Sequence, residues 1–153
     1  MIRITIDNKP TLDLMKQVYA NKLNAASRGA RYAMNGKKRA FKEAVKRTAK
    51  VEGDPVKGSQ VLALYYLCLP RCDWDAPIKS LQDAIQEWIG CKDDRVIRYA
   101  WVFLTRPGKA TKYKPDRPTK VVVDLYNAIE EQDKAMARAG YLLNWGEACW
   151  QLQ

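Results

Sequence analysis

The segment that most constrains the fold is an apolar run from Gln60 to Leu69, QVLALYYLCL. Apolar side chains occupy both of its alternating faces, which is typical of a strand covered on both sides in the middle of a sheet. Pro70 follows and ends the strand. The chain is therefore expected to build a sheet around residues 60–69.

Weaker patterns predict the elements around this strand. Before it we expect a strand in IRITI at residues 2–6, a helix at 11–25 and a loop at 27–36. A basic helix at 37–50 and a connector at 52–58 should follow. The buried side of the basic helix is expected to carry Ala40, Phe41, Ala44 and Val45. After it we expect a helix that Asp75 caps, with Pro77 in its first turn and Gly90 at its end, then strands at 96–104 and 119–126. The basic segment between those two strands predicts a long hairpin. A further helical pattern covers residues 128–139. The order predicts an α+β fold with a small mixed sheet of about four strands and flanking helices.

Composition excludes several kinds of chemistry. The 153 residues suit one domain. Since no apolar run reaches the ~20 residues of a membrane span, a cytoplasmic protein is expected. The chain has no histidine, which excludes imidazole catalysis and the usual zinc sites. Its four cysteines, at 68, 72, 91 and 149, form no CxxC pair and are expected to be reduced. Catalysis would have to use carboxylates, lysine, tyrosine, cysteine or a metal.

The net charge of +10 is unevenly distributed. Residues 28–50 contain nine Lys or Arg residues and one acidic residue. Residues 106–120 contain six Lys or Arg residues and one acidic residue. Two separate basic segments indicate a polyanionic partner, of which nucleic acid is the commonest. The alternative interpretation is a solvated basic surface.

Acidic residues cluster around the predicted helix that follows the central strand. Asp73 and Asp75 stand two residues apart before it, Lys79 lies four residues after Asp75, and Asp93 and Asp94 precede the next strand. The two acidic pairs can hold one ion if loops 71–76 and 91–95 lie side by side. Oxygen ligands favour Mg²⁺, with Mn²⁺ as a substitute, and Mg²⁺ can bind a phosphate and activate water. The alternatives are structural: Asp75 as a helix cap or as a surface pair with Lys79, and Asp93-Asp94 as a polar turn.

The run PRCDWDAPIKSLQDAIQEWIGCKDDRVIRY resembles the core of RusA-type Holliday junction resolvases. The family has Asp-x-Asp, a lysine four residues later, an amphipathic helix and an Asp-Asp pair before a strand. The resemblance covers about residues 60–125 and implies a single domain with a C-terminal extension over 127–153. It also implies a homodimer and Mg²⁺-dependent paired nicks in opposed strands of a four-way junction, in a bacterial or phage-infected cell. By this resemblance Asp73, Asp75 and Asp94 are catalytic metal ligands, Asp93 is an additional ligand, and Lys79 is a catalytic cation. The family often has Asn where this chain has Ala76, so no polar contact is inferred there.

The basic segments would then contact DNA phosphates, which position a protein without reading base sequence. The expected DNA-binding residues are Arg28, Arg31, Lys37, Lys38, Arg39, Arg71, Lys109, Lys112 and Lys114. Tyr32, Trp74 or Tyr113 would stack on unpaired bases, unless they pack in the core. The competing functions are a metal nuclease for other branched DNA, a non-enzymatic DNA-binding accessory protein and, with less support, an RNA-binding module.

Overall fold

A computed structural model describes residues 1–20, 28–56, 61–70, 72, 75–89, 97–114 and 116–127, and for residues 20, 28–33, 98 and 99 it describes the backbone alone. The strands are β1 Ile2–Ile6, β2 Lys50–Gly53, β3 Val61–Cys68, β4 Ile97–Thr105 and β5 Lys120–Asn127. The helices are α1 Lys9–Ala20, α2 Arg28–Thr48 and α3 Ile78–Ile85, and a 3-10 turn over Gln86–Ile89 continues α3. The fold is α+β, as predicted. No helix in the described ranges is long and apolar enough to cross a membrane.

The sheet is mixed and has the strand order β2-β1-β5-β3-β4. Only the β3–β4 pair is parallel, and α3 forms the crossover between these two strands. All eight residues of β3 are buried. The prediction of a central strand with two covered faces is therefore confirmed.

The two faces of the sheet have different neighbours. On one face, alternate residues of β1, β3 and β5 pack against apolar residues of all three helices. On the other, Leu62, Leu64 and Tyr66 form a smaller cluster with residues of β4 and β5. In this cluster the rings of Tyr66 and Phe103 stack with centroids 5.1 Å apart. The all-apolar sequence of β3 follows from this burial on both faces.

A buried ion pair joins β1 to β5. Nε and Nη2 of Arg3 each donate a hydrogen bond of 2.7 Å to a carboxylate oxygen of Asp124. The Asp124 side chain is 0% exposed and that of Arg3 is 14% exposed. The two residues face each other in the β1–β5 register, and Leu64 of β3 is the other neighbour of Asp124. The pair therefore lies on the face of the sheet that carries Leu64.

The predicted loop at residues 27–36 is wrong for the described part, because α2 already begins at Arg28. The predicted loop ended at Gly36, but a single glycine costs a helix interior only ~1 kcal/mol, which the packing of Met34, Phe41 and Val45 offsets. Ala40 was expected on the buried side and is exposed. The expected connector at 52–58 begins inside β2, a short fifth strand that pairs with β1.

The predicted hairpin of the last two strands is also wrong. β3 lies between β4 and β5 and pairs with both, so these two strands are not neighbours. The intervening segment instead pairs with itself, through the bridges Gly108–Arg117 and Thr111–Lys114. We call residues 108–117 the basic ribbon. A strong β pattern on both sides of a turn predicts two strands, but it does not determine whether they pair with each other.

Two glycines should respond oppositely to alanine. A Cβ at Gly36 would meet nothing within 4 Å, whereas Gly53 has φ +90° and its Cβ would fall against the carbonyl oxygen of Met1. We expect Gly36→Ala to stabilise the protein by about 0.5–1 kcal/mol and Gly53→Ala to destabilise it by about 1–3 kcal/mol. Urea denaturation of both variants measures this difference. Equal effects would contradict the conformation assigned to Gly53.

Candidate functional site

One end of the sheet leads into both the turn that holds Asp75 and the segment that carries Lys109, Lys112 and Lys114. Ile6 of β1, Cys68 of β3, Thr105 of β4 and Lys120 of β5 lie there, and we call it the Cys68 end. The ladder continues one residue further, because the Leu69 amide donates to the Thr105 carbonyl oxygen at 3.3 Å. The segment that leaves β3 and the segment that leaves β4 therefore start side by side.

Asp75 follows β3 at this end, in the turn before α3. The Ile78 amide donates to the Asp75 carbonyl oxygen at 3.1 Å, and α3 begins at Ile78 with Pro77 as its capping residue. The cap lacks a side-chain hydrogen bond. The interpretation of Asp75 as the helix cap is thus wrong, and its carboxylate is exposed.

Lys79 lies in the first turn of α3 and is exposed. Its Nζ forms an ion pair with Asp83 Oδ1, one turn further along the helix, at 3.2 Å. Both side chains are more than a third exposed, so this pair contributes little to stability and leaves the ammonium accessible to solvent. Lys79 and Asp75 are therefore both accessible from solvent near the start of α3.

The other predicted metal ligands, Asp73, Asp93 and Asp94, lie outside the described residues, as does Arg71. Within the described ranges no group of three or more Cys, Asp or Glu could hold a metal ion. Because β3 and β4 are parallel, Ile97 at the start of β4 pairs with Val61, at the opposite end of β3 from Cys68. An eight-residue strand is about 26 Å long. The sharing of one ion by both acidic pairs stays a prediction.

The basic ribbon begins at the Cys68 end, between Thr105 and Lys120. Two pairs of backbone hydrogen bonds of 2.8–3.3 Å close it into a narrow two-stranded projection. Lys109, Lys112 and Lys114 are all exposed on it. Tyr113 at the tip is 83% exposed, and Lys112 Nζ lies 5.7 Å from its ring centroid. Core packing is excluded for Tyr113, so its ring is available for stacking.

The second basic segment forms α2. Arg28, Arg31 and Tyr32 belong to its first turns, but their side chains lie outside the described part. Trp74 lies outside the described residues altogether. Lys37 is half-buried, and Lys38 and Arg39 are exposed. No ion pair among the described residues involves Lys38, Arg39 or Lys42. This stretch of α2 therefore carries uncompensated positive charge.

A cavity of about 300 Å³ lies between this stretch of α2 and the first two turns of α3. Lys38, Arg39 and Lys42 line one side, and Ser80 and Asp83 line the other. Sequence reasoning missed this cavity. A hint was present, because Ser80 is a polar residue beside the apolar positions of α3, and Lys42 lies one helical turn from Lys38.

The described cysteines fit a structural role. Cys68 is buried and Cys72 half-buried, and neither is in a disulfide within the described part of the chain. Burial raises the pKa of the Cys68 thiol above its usual value, which keeps it protonated and unreactive. Cys91 and Cys149 lie outside the described residues, and the reduced state of the four thiols stays a prediction.

No protein-family model, curated protein or solved structure matches this chain. The resemblance to RusA-type resolvases therefore rests on the motif residues quoted above.

The ribbon lysines allow a direct test of DNA contact. Replacement of Lys109, Lys112 and Lys114 by alanine should weaken binding to a DNA four-way junction and lower the slope of log K against log[salt] by up to about 3, since each lost phosphate contact removes about 0.9. Fluorescence anisotropy over a NaCl series measures both. The matched control replaces the same lysines by arginine, which should retain the slope. An unchanged slope in the alanine variant would reject the assignment.

Proposed function

We propose that this protein is a Mg²⁺-dependent endonuclease that cuts branched DNA, with Asp73, Asp75 and Asp94 as metal ligands, Asp93 as an additional ligand and Lys79 beside them. One observation carries the proposal. Asp75 and the basic ribbon emerge from neighbouring strands at the Cys68 end, with Lys79 one helical turn further on. A cationic arm thus follows the strand that neighbours the one leading into the acidic motif.

The donor set suits the metal. The Asp75 carboxylate is exposed and is not used to cap α3, so it is available as an oxygen ligand of the kind that Mg²⁺ prefers. When bound, Mg²⁺ would bind the scissile phosphate and lower the pKa of a water molecule. Lys79 would offset the negative charge that develops on the phosphate, and its pairing with Asp83 orients it along α3.

The proposed substrate is a DNA four-way junction, which the protein would resolve as a homodimer by paired nicks in opposed strands. A two-fold dimer matches the near two-fold symmetry of such a junction. Phosphate contacts from the basic ribbon and α2 would supply affinity without sequence preference. The proposed location is the cytoplasm of a bacterial or phage-infected cell.

The test compares a four-way junction, a replication fork and linear duplex, each incubated with the protein and with Mg²⁺, Mn²⁺ or EDTA. We expect paired, metal-dependent nicks in the four-way junction, few in the fork and none in the duplex. Equal cutting of fork and junction would instead indicate a nuclease for branched DNA in general. Binding without nicks under all conditions would reject the enzyme.

A second candidate is a DNA-binding accessory protein without catalysis. The parallel pairing of β3 and β4 favours it, because the strand after Asp93 and Asp94 begins at the opposite end of β3 from Cys68. In that case the basic ribbon and α2 would act alone, and the acidic residues would serve as turns. The same assay distinguishes the two, since only the enzyme produces nicks.

A further inference from the structure

The sheet face around Leu64 is buried, although no helix in the described ranges packs on it. The apolar cluster on this face contains side chains of β3, β4 and β5 alone, whereas α1, α2 and α3 all pack on the opposite face. Leu64 is nevertheless 0% exposed, and Val122 and Tyr126 of β5 are at most 5% exposed. Since a sheet face that water reaches keeps its side chains partly exposed, this burial requires another layer. We call this surface the Leu64 face.

The ion pair of Arg3 and Asp124 indicates the same layer. Asp124 lies opposite Leu64 in the register of β5 and β3, so the two side chains belong to the same face. The Asp124 side chain is fully buried and that of Arg3 nearly so. A carboxylate on a solvated sheet face would keep contact with water. The exclusion of water from Asp124 therefore requires protein groups above the Leu64 face.

Chain length and connectivity decide which segment can supply this layer. The stretches between the described ranges have seven residues or fewer each. The two longest are 21–27, which joins α1 to α2, and 90–96, which follows Ile89, and these neighbours all pack on the opposite face. Residues 128–153, by contrast, are a continuous stretch of 26 residues after β5. They start beside Tyr126, a residue of the Leu64 face, and are long enough to cross that face.

The sequence of residues 128–143 has the pattern of an amphipathic helix. Four apolar residues recur at helical spacing and share one side: Ile129, Met136, Ala139 and Leu143. Three charged residues share the other side: Glu130, Lys134 and Arg138. A helix of this length spans about 24 Å, close to the ~26 Å of the eight-residue strand β3. Such a helix matches the length of the Leu64 face and has one apolar side to place on it.

We infer that residues 128–143 form an amphipathic helix that packs on the Leu64 face of the same chain, with Met136 and Leu143 against the apolar cluster. A second copy of the chain is the alternative cover. It would have to compete with a segment that is tethered at Asn127, and the tether gives that segment a high effective concentration at the face. The inference is independent of the proposed nuclease, and it closes the Leu64 face to the contact that the proposed homodimer needs.

Methyl NMR on the full-length protein tests the contact and its occupant. Met136 is the one methionine of the sequence that follows β5, so Met136→Leu identifies its methyl signal. We expect nuclear Overhauser effects from this methyl group to Leu64 or to the ring of Tyr126. In a 1:1 mixture of ¹³C-labelled and unlabelled chains, an isotope filter selects contacts between chains and should show none of these effects. Effects between chains would place a second copy on the face, and their absence from both spectra would overturn the inference.

Two alanines of the same segment provide a matched pair of substitutions. Ala139 lies on the apolar side of the predicted helix and Ala137 on the charged side. Ala139→Asp would place a carboxylate against the apolar cluster and should lower the melting temperature by about 5–10 °C, whereas Ala137→Asp should change it by less than about 3 °C. If Ala139→Asp fails to fold, Ala139→Ser and Ala137→Ser give the same comparison with a smaller shift.

Equal shifts for the two positions would contradict the packing of residues 128–143 on the Leu64 face. These measurements use the free protein without DNA or metal. Absence of nicks in the cutting assay would therefore refute the nuclease proposal and leave this inference unaffected.

Discussion

Asp73→Asn should abolish metal-dependent cutting of a four-way junction while the protein still binds it. Asparagine keeps the size of the side chain but removes the charge that holds a divalent ion. Loss of ~4 kcal/mol of transition-state stabilisation by the metal corresponds to a rate lower by about 1,000-fold. Single-turnover cutting rates in Mg²⁺ and Mn²⁺, measured beside anisotropy in EDTA, separate the loss of catalysis from a loss of binding.

The control for this prediction is Asp54→Asn, which removes an exposed carboxylate from the segment after β2 and should cut at the wild-type rate. Parallel loss of cutting and binding in Asp73→Asn would show that Asp73 has a structural role. Asp94→Asn tests the second acidic pair independently, because Ile97, three residues later, lies at the opposite end of β3 from Cys68. Wild-type cutting by Asp94→Asn would remove Asp94 from the site and leave Asp73 and Asp75.

Arg3→Ala should lower the free energy of unfolding by about 3–5 kcal/mol, because it takes from the buried Asp124 carboxylate the positive charge and the two hydrogen bonds that Arg3 provides. Asp124 is 0% exposed and lies between β1 and β3, so water cannot replace the two lost hydrogen bonds. In the intact protein, the hydrogen bonds to Asp124 raise the pKa of Arg3 above its ordinary value. A loss of this size is a large part of the 5–15 kcal/mol that stabilises a typical domain. Guanidinium chloride denaturation measures it.

The matched variant replaces both partners, as Arg3→Met with Asp124→Leu. It removes both charges and fills the space with apolar groups, and pairs of this kind are often neutral or stabilising. We expect the double variant to be at least 2 kcal/mol more stable than Arg3→Ala. If Arg3→Ala alone costs less than about 1 kcal/mol, the environment of Asp124 is better solvated than its burial indicates.

Local patterns in the sequence identified most elements correctly. β3 was predicted because it is apolar on both faces, and α3 because Pro77 precedes a helical apolar stripe. β1 was predicted from its alternation, and β4 and β5 from their strongly β-forming sequences. The errors occurred where local signals compete with packing: the loop predicted up to Gly36 is part of a helix that the core keeps intact, and the exposed strand β2 has no apolar pattern at all.

The candidate site was predictable only in part. The spacing of Asp73, Asp75 and Lys79 identified a motif, and the basic segments identified a class of partner. The cavity around Ser80 could not be predicted, because it forms from side chains of two helices that are more than 30 residues apart in the chain. Such a contact depends on how the helices pack, and helical periodicity in either segment does not encode it.

By itself the sequence determined that β3 is buried on both faces, where the charges lie and which chemistry is excluded. The tertiary structure decided which elements are neighbours: it inserted β3 between β4 and β5, made β3 and β4 parallel and brought the basic ribbon to the Cys68 end. The reason is that the side-chain period of a strand specifies its buried faces. The backbone groups that pair strands are the same for nearly every residue and do not specify a partner.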